Sequence, residues 1–450
     1  MMQERGNFSS KIGFVLAAAG SAVGLGNIWR FPYLAEKYGG MFLITYLILV
    51  VTFGFTIMMT EIAIGRKTGK SPIGAFAALN KKSEFIGWIA VIVIAIIFPY
   101  YGVIGGWVTK YFAVFLTGTN PTVEASGAFF NGYVSKPLEP ILWQMLFMAA
   151  TGVIVVRGVE KGVEKASRIM MPVLVVLTIA IAVYSVCLPG ALEGVKYYLI
   201  PDLSKLSVNM VLAAMGQMFY SMSLAMGIMI TYGSYLRKQD DLEKSVSQIE
   251  IFDTGIAILA GFMVIPAVVA FNGSEGLGSG GPGLMFVTLP QVFASMPFGR
   301  IVGIVFFLLV LFAALTSSIS IMEALVSTVC DQFRLSRMKA SILVFLWGII
   351  VGVVPSLGFG LWSHIAVFDM DLLTFMDFIT NSILMPVGAF LTCVFVAYFL
   401  GIKEIADEVE LSSAFRRKKM YVVMVKYIAP IFILAILISS VLSAFGVITL

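Results

Sequence analysis

Apolar segments of membrane-spanning length recur along the chain, separated by short polar stretches. A helix needs about 20 mainly apolar residues to cross the hydrocarbon core of a bilayer. The pattern therefore predicts an all-α polytopic membrane protein with eleven transmembrane helices. The predicted helices cover residues 12–36, 41–66, 86–116, 139–156, 167–188, 209–235, 248–272, 300–332, 339–355, 372–401 and 420–446.

Composition and charge agree with this pattern, and the charge distribution also predicts how the chain is oriented in the membrane. The chain is 59% hydrophobic and 12% charged, whereas a soluble domain carries roughly 25% charged residues. Lysine and arginine concentrate in alternate loops, and short basic loops stay in the cytoplasm. We therefore expect a cell inner (plasma) membrane protein with its N-terminus in the cytoplasm and its C-terminus outside. Basic residues assigned to the cytoplasmic face include Arg66, Lys67, Lys81, Lys82, Arg157, Lys161, Arg237, Lys238, Arg334, Arg337 and the run 416–419.

These properties also narrow the functional class. The net charge of +5 is explained by the lysine and arginine residues of the cytoplasmic loops. No nucleic-acid partner is therefore expected. The chain has one histidine and neither an HExxH nor a GxSxG motif, so it lacks the common signatures of a zinc or serine hydrolase. We expect that the protein is not an enzyme.

Two of the predicted spans carry small and polar residues where large apolar ones are usual. Residues 20–27 contain three glycines, and residues 220–227 read Tyr-Ser-Met-Ser-Leu-Ala-Met-Gly. Unwound helix is tolerated inside a membrane only where it lines a protein cavity. The segments lie five spans apart, as in inverted repeats whose broken helices meet at a midplane binding site. Freed amides would attract a carboxylate and freed carbonyls a small cation. The alternative is that the glycines only permit close helix packing.

The motif GSAVGLGNIWRFP at residues 20–32 resembles the first helix of the neurotransmitter:sodium symporter family. Similar motifs are TEIAIGR at 60–66, TYGSYL at 231–236, GPGLMFVTLP at 281–290 and LTSSISIME at 315–323. The resemblance implies a LeuT-type 5+5 fold, with inverted repeats at 12–188 and 209–401 and an eleventh helix at 420–446. It also implies a Na⁺-coupled symporter that imports an amino acid by alternating access.

The resemblance implies a substrate site in which the phenol of Tyr101 binds the substrate carboxylate and Tyr220 forms a lid. The substrate-binding residues would be Ala22, Gly24, Leu25, Gly26, Ile97, Tyr101, Tyr220, Ser221, Ser223, Met226, Ser317 and Ile321. Apolar Ile97, Met226 and Ile321 favour a hydrophobic or neutral amino acid. Ala225 replaces a glycine of the family pattern, and its methyl group is expected to favour small and medium side chains.

The resemblance also implies two Na⁺ sites. The first would use Ala22, Asn27, Ser221 and Asp253, and the second Gly20, Val23, Ala313, Thr316 and Ser317. Ala313, Thr316 and Ser317 stand at i, i+3 and i+4, so they share one helix face. Serine and threonine in membrane helices usually bond back to the preceding turn, so the second site depends on the resemblance.

Asp253 departs from the family pattern, which commonly has asparagine there. A carboxylate inside a membrane costs several kcal/mol unless it has a partner, and Na⁺ is a suitable one. Because Asp253 supplies the negative charge that chloride supplies in animal relatives, and Ala257 has no hydroxyl for chloride, we expect no chloride requirement.

The resemblance further implies gates and a hinge. Arg30 and Asp377 would form the outer gate, and Arg5 and Asp331 the inner gate. Gly162 and Pro172 would let the fifth helix unwind during inward release.

The alternative function is a Na⁺-dependent amino-acid sensor of the same fold that does not transport. Expected partners are the amino acid, Na⁺ and the bilayer, with the protein a monomer or a weak homodimer.

Overall fold

In the computed structural model, residues 6–273 and 283–444 are described. These residues form helices and loops, and their only β-type pairing is one isolated bridge, Val367 to Met370. The helices are α1 Lys11–Ala22, α2 Gly26–Tyr38, α3 Gly40–Thr68, α4 Pro72–Leu79, α5 Lys81–Thr117, α6 Ser126–Val134, α7 Glu139–Val156, α8 Val159–Val186, α9 Ala191–Leu199, α10 Val208–Ser221, α11 Ile228–Gly233, α12 Leu242–Phe271, α13 Leu284–Ser295, α14 Gly299–Phe333, α15 Arg337–Leu357, α16 Leu372–Leu400, α17 Ile402–Glu410 and α18 Lys418–Leu442.

The helix lengths agree with a multi-pass membrane protein. Among the described residues, nine helices are long and apolar enough to cross a bilayer, and α1 with α2, bent by 51°, makes a tenth. The predicted sixth span is divided into α10 and α11, each too short to count as a span by itself. The expected total of eleven is therefore not confirmed by helix length.

The first predicted interruption separates α1 from α2. Ser10 caps the start of α1 by accepting a hydrogen bond from the Gly13 amide at 3.0 Å. The helix ends at Ala22, and Val23 has extended backbone angles. α2 starts at Gly26 with a π-helical turn. The chain thus leaves α-helical geometry where the glycines are densest, and the amides and carbonyls released there face the interior.

The second interruption separates α10 from α11. Ser223 and Ala225 have φ values of 53° and 58°, and Gly227 has 70°. Left-handed backbone costs a non-glycine residue roughly 1–2 kcal/mol, so its surroundings must stabilise it. The buried Glu61 of α3 does so, because its Oε1 accepts a hydrogen bond from the Ala225 amide at 2.8 Å. Glu61 therefore positions the broken segment.

Candidate functional site

A cavity lies where the two interruptions meet. Its lining residues are Ser21, Ala22, Gly24, Leu25, Gly26, Ile97, Tyr101, Tyr220, Ser223, Met226, Ser317 and Ile321. Eleven of the twelve residues predicted to contact substrate are among them. Ser221 is not in this lining, and Ser21, which was not predicted, is. The fold therefore brings residues from five helices and both breaks into one enclosed space.

The cavity is narrow. Its volume is about 20 Å³, enough for about one water molecule. An amino acid can enter only if the walls move apart. Met226 is the most adaptable of the apolar lining side chains because its unbranched thioether has three rotatable bonds.

Ala225 does not have the expected place in the wall. It is absent from the cavity lining, and its methyl group points toward α16, where a Cβ added at Gly388 would lie 3.9 Å from it. The left-handed backbone at Ala225 turns the side chain away from the cavity. The prediction that this methyl group directly narrows the pocket is therefore wrong.

The hydroxyl group of Tyr101 is a polar group in the cavity wall. It is buried and makes no hydrogen bond of normal geometry to any described residue. Its polar neighbours are the Ser317 side chain and the Leu25 backbone. Leaving a buried hydroxyl unpaired costs about 1–3 kcal/mol. A ligand that accepts a hydrogen bond at this point would remove that cost, and a carboxylate would do so best.

Asp253 forms the centre of a buried polar cluster beside the cavity. Its Oδ1 accepts hydrogen bonds from Asn27 Nδ2 at 2.7 Å and Ser221 Oγ at 2.8 Å. Its Oδ2 accepts one from Tyr46 Oη at 3.3 Å. Asp253 itself is fully buried. Three of the four predicted ligands of the first Na⁺ site, Asn27, Ser221 and Asp253, thus contact one another, and Ala22, the fourth, lines the cavity.

The residues of the predicted second Na⁺ site also lie together, between α1 and α14. Ser317 Oγ donates to the carbonyls of Ser21 at 3.1 Å and Gly20 at 3.4 Å. A Cβ added at Gly20 would lie 3.2 Å from Thr316 Cβ. Thr316 Oγ1 donates to the Phe312 and Ala313 carbonyls, each at 3.0 Å. This is the hydrogen bond to the preceding helical turn that threonine usually makes in a membrane helix. Val23 is buried at the end of α1.

Three polar residues at this site were missed from the sequence. Tyr46 contacts both Ser221 and Asp253, Gln217 Nε2 donates to the Gly26 carbonyl at 2.8 Å, and Glu61 holds the second break. Each lies within an otherwise apolar segment, where a polar side chain is a functional signal by itself. Glu61 could have been found in this way, because it is the one carboxylate in its predicted span.

The predicted outer gate is not closed by a direct ion pair. Arg30 and Asp377 are both described and are not within ion-pair distance of each other. The Arg30 guanidinium lies 5.5 Å from the centroid of the Tyr220 ring. Asp377 accepts hydrogen bonds from Tyr100 at 3.2 Å and from Asn381. Tyr220 thus lies beneath Arg30, and the Arg30 and Asp377 side chains do not form a direct ion pair.

The inner gate and the hinge are described only in part. Arg5 lies outside the described residues, while Asp331 accepts a hydrogen bond from the Ser71 amide at 3.0 Å. Gly162 lies in a π-helical turn over Val159–Glu164, and Pro172 lies inside the following α-helix. A Cβ added at Gly162 would approach the Ile154 carbonyl oxygen to 2.1 Å. Glycine is therefore required here by close packing as well.

Comparison with known proteins identifies the family. Residues 5–134 and 134–447 match the sodium:neurotransmitter symporter family. The chain belongs to this family. It is 34% identical over 440 residues to an uncharacterised sodium-dependent transporter of Bacillus subtilis, covering 95% of this chain and 96% of that protein. It is 35% identical over 451 residues to an uncharacterised sodium-dependent transporter of Methanocaldococcus jannaschii, covering 96% of this chain and 90% of that one.

A solved structure confirms the fold of this symporter. The chain is similar to MhsT, whose crystal structure is in complex with L-phenylalanine. The TM-score is 0.89 with 38% sequence identity, covering 97% of this chain and 100% of that one. The protein is thus a sodium-coupled membrane transporter of the LeuT fold, and its family is one of transporters rather than enzymes.

Gly24 offers a direct test of the cavity. A Cβ added there would lie 2.4 Å from Ser317 Oγ and 3.3 Å from Tyr101 Oη. We expect Gly24→Ala to weaken amino-acid binding at least tenfold, because the methyl group occupies space that a carboxylate would need. Equilibrium binding to the purified symporter measures this. Gly132→Ala, at a helical position with no neighbour within 4 Å, should leave binding unchanged; an equal loss in both variants would contradict the assignment.

Proposed function

We propose that this symporter imports a small or medium hydrophobic, neutral amino acid with two Na⁺ by alternating access, independently of chloride. The observation that carries the proposal is the junction of the two breaks. There an unpaired buried phenol and an apolar wall line one cavity, and the buried carboxylate of Asp253 lies beside it. A zwitterion and Na⁺ match these three features.

The substrate class follows from the lining. Ile97, Met226 and Ile321 provide apolar surface, and no charged side chain lines the cavity. A lysine, arginine, aspartate or glutamate substrate would bury an unpaired charge, which is costly in a low-dielectric site. The substrate carboxylate would bind at Tyr101 and complete the first Na⁺ site beside Asp253. MhsT was crystallised with phenylalanine, and a hydrophobic substrate is consistent with that relative.

Charge balance supports the use of two cations. Asp253 is the central acceptor of the first site, and the substrate carboxylate adds a second negative charge. The second site would offer only carbonyl and hydroxyl oxygens, which suit a hard monovalent cation. Each positive charge that moves inward across about 100 mV releases roughly 2.3 kcal/mol, so two Na⁺ would drive substantial accumulation.

Alternating access would use the two ends of the cavity in turn. On the outer side, Tyr220 and Arg30 would cover the substrate while Asp377 closes from the opposite wall. On the inner side, Asp331 with Arg5 would separate, and α8 would unwind near Gly162 and Pro172. The orientation proposed is N-terminus inside and C-terminus outside, in the cell membrane, with two inverted repeats at 12–188 and 209–401.

Uptake into proteoliposomes tests the proposal. With Na⁺ outside and K⁺ inside, we expect a hydrophobic amino acid to accumulate at least tenfold over the external concentration, because the Na⁺ gradient is coupled to its movement. Collapsing the gradient with equal Na⁺ on both sides should abolish accumulation. A protein that binds the amino acid in Na⁺ but produces no uptake in these vesicles would instead be the sensor.

The absence of a chloride requirement can be checked in the same vesicles. Replacing all chloride by gluconate should leave the initial uptake rate within twofold, because the fixed charge of Asp253 takes the place of the anion. Replacing Na⁺ by choline is the matched control and should eliminate uptake. Loss of uptake in gluconate with Na⁺ present would refute chloride independence without affecting the amino-acid assignment.

A further inference from the structure

A second cavity lies away from the substrate site, on the side of the molecule that the proposed orientation places outside. Its volume is about 250 Å³, and it is lined by Gly39, Gly40, Lys196, Tyr197, Ile200, Asp202 and Lys205. The lining includes two ammonium groups and one carboxylate, so its charge is positive. Asp202 Oδ1 is already engaged, since it accepts hydrogen bonds from the amide and hydroxyl of Ser204. The cavity therefore favours an anionic ligand.

One of the lysines is held in place. Lys205 Nζ lies 4.3 Å from the centroid of the Tyr197 ring and 2.8 Å from its hydroxyl, to which it donates. The Tyr197 hydroxyl in turn donates to the Glu36 carbonyl in α2. The turn at Gly39 and Gly40 closes the opposite wall, where a Cβ on Gly40 would lie 2.7 Å from the Ile200 carbonyl oxygen. The lysine is thus preorganised at the cavity edge.

The segment that carries this cavity lies against a membrane helix. Tyr198 of α9 donates a hydrogen bond to the Ile258 carbonyl at 3.1 Å, and its ring is 5.1 Å from that of Phe262. Both partners belong to α12, which is apolar and long enough to span a bilayer. Phe262 precedes the end of α12 at Phe271 by nine residues, or about 14 Å of helix. The end of α9 therefore lies at membrane depth.

The chain after α9 exposes large apolar side chains. The exposed fractions lie between 46% and 74% for Leu199, Ile200, Leu203, Leu206 and Val208. Exposed large apolar side chains that cluster in one short segment are typical of contact with a membrane or a partner. Because α9 enters the membrane beside α12, acyl chains are the natural cover for these side chains.

The lysines lie near headgroup depth. Gly39 follows Asn27 by twelve residues of helix, or about 18 Å, and Asn27 contacts Asp253 at the junction of the breaks. Half of the hydrocarbon core is about 15 Å thick. The cavity is therefore near the boundary between acyl chains and headgroups, where both its cationic groups and the neighbouring apolar side chains would have partners.

We propose that this cavity binds the phosphate group of an outer-leaflet anionic phospholipid through Lys196 and Lys205, with acyl chains along residues 199–208. The lipid would join α9 to the end of α2, the helix that carries the outer-gate residue Arg30. A free phosphate offers the same charge as the headgroup. It lacks the chains that the apolar surface would cover, so the two ligands can be distinguished.

Native mass spectrometry of the delipidated full-length symporter, titrated with dioleoylphosphatidylglycerol, tests this. In the double variant Lys196→Gln and Lys205→Gln, we expect the first lipid to bind about thirtyfold more weakly, since each lysine beside an anionic headgroup contributes about five- to sixfold. Lys136→Gln, at an exposed position in the loop between α6 and α7, is the matched control and should bind as the unmodified protein does. Replacing both lysines by arginine should retain binding.

Three outcomes would overturn the proposal. The first is unchanged lipid affinity in a folded double-glutamine variant. The second is equal affinity for dioleoylphosphatidylcholine, which would remove the role of net charge. The third is displacement of the lipid by equimolar glycerol phosphate or inorganic phosphate, which would identify a free-anion site. Thermal unfolding of each variant establishes that it is folded, and none of these measurements depends on the transported amino acid.

Discussion

Asp253→Ala is expected to raise the Na⁺ concentration for half-maximal amino-acid binding more than 100-fold. Asp253 accepts hydrogen bonds from Asn27, Ser221 and Tyr46. Its removal leaves these buried donors unpaired, at about 1–3 kcal/mol each, and removes the carboxylate from the proposed cation site. Titration of Na⁺ at fixed amino-acid concentration measures the loss.

Asp253→Asn refines this result. The amide keeps the shape of the side chain and one acceptor oxygen, but it lacks the negative charge. We expect folding to be retained and Na⁺ affinity to fall by a smaller factor than in the alanine variant. Asp369→Asn, the same change at an exposed position, is the control. Wild-type Na⁺ dependence in Asp253→Asn would show that the charge does not serve the cation.

Tyr101→Phe is expected to weaken amino-acid binding about 10- to 100-fold without lowering thermal stability. The change removes only the hydroxyl, which is buried without a normal hydrogen bond among the described residues. A hydrogen bond to a charged group contributes roughly 1.5–3 kcal/mol, and the substrate carboxylate would be that group. Because the hydroxyl has no normal hydrogen bond among the described residues to lose, and burying it unpaired is costly, its removal should keep or raise the free energy of unfolding.

Tyr421→Phe provides the comparison. Tyr421 is also fully buried, but its hydroxyl pairs with Thr60 at 2.8 Å, and neither residue lines the cavity. Its variant should lose stability and retain amino-acid affinity. If Tyr101→Phe lost stability and kept affinity in the same way, the phenol would be a structural group, and the carboxylate assignment would fail.

The spans and both breaks could be predicted because membrane crossing imposes a strong length and composition rule. The predicted sixth span, 209–235, differs by only one or two residues from the outer limits of α10 and α11, Val208 and Gly233. The predicted fifth span began at 167, whereas α8 begins at Val159. Its first turns carry Glu160, Lys161 and Glu164, and charge in that stretch obscured the helix.

Glu164 shows why such a segment could not be recognised from apolar length alone. Its carboxylate accepts hydrogen bonds from the Ser9 amide and hydroxyl, at 2.7 and 2.6 Å, and from Arg168 at 2.6 Å. Arg168 is four positions from Glu164, but Ser9 is 155 positions away in the chain. A single sequence does not indicate such a long-range pairing.

The site was predicted where residues form motifs and missed where a side chain acts alone. Gly24, Ser221 and Ser317 lie in dense polar or glycine-rich segments, so their roles could be inferred together. Tyr46 is a single tyrosine in an apolar helix. Whether its hydroxyl faces lipid or Asp253 depends on the rotation of the helix about its axis. The direction of the Ala225 methyl group depends on its left-handed backbone, which residue type does not reveal.

The central claim is that the two helix breaks create one site for a hydrophobic amino acid and Na⁺. Equilibrium binding of the twenty amino acids to the purified protein, in Na⁺ and in K⁺ at equal ionic strength, tests it most directly. We predict saturable binding of one or more hydrophobic amino acids, at one molecule per chain, in Na⁺ only. Equal binding in both salts, or preferred binding of a charged amino acid, would contradict the claim.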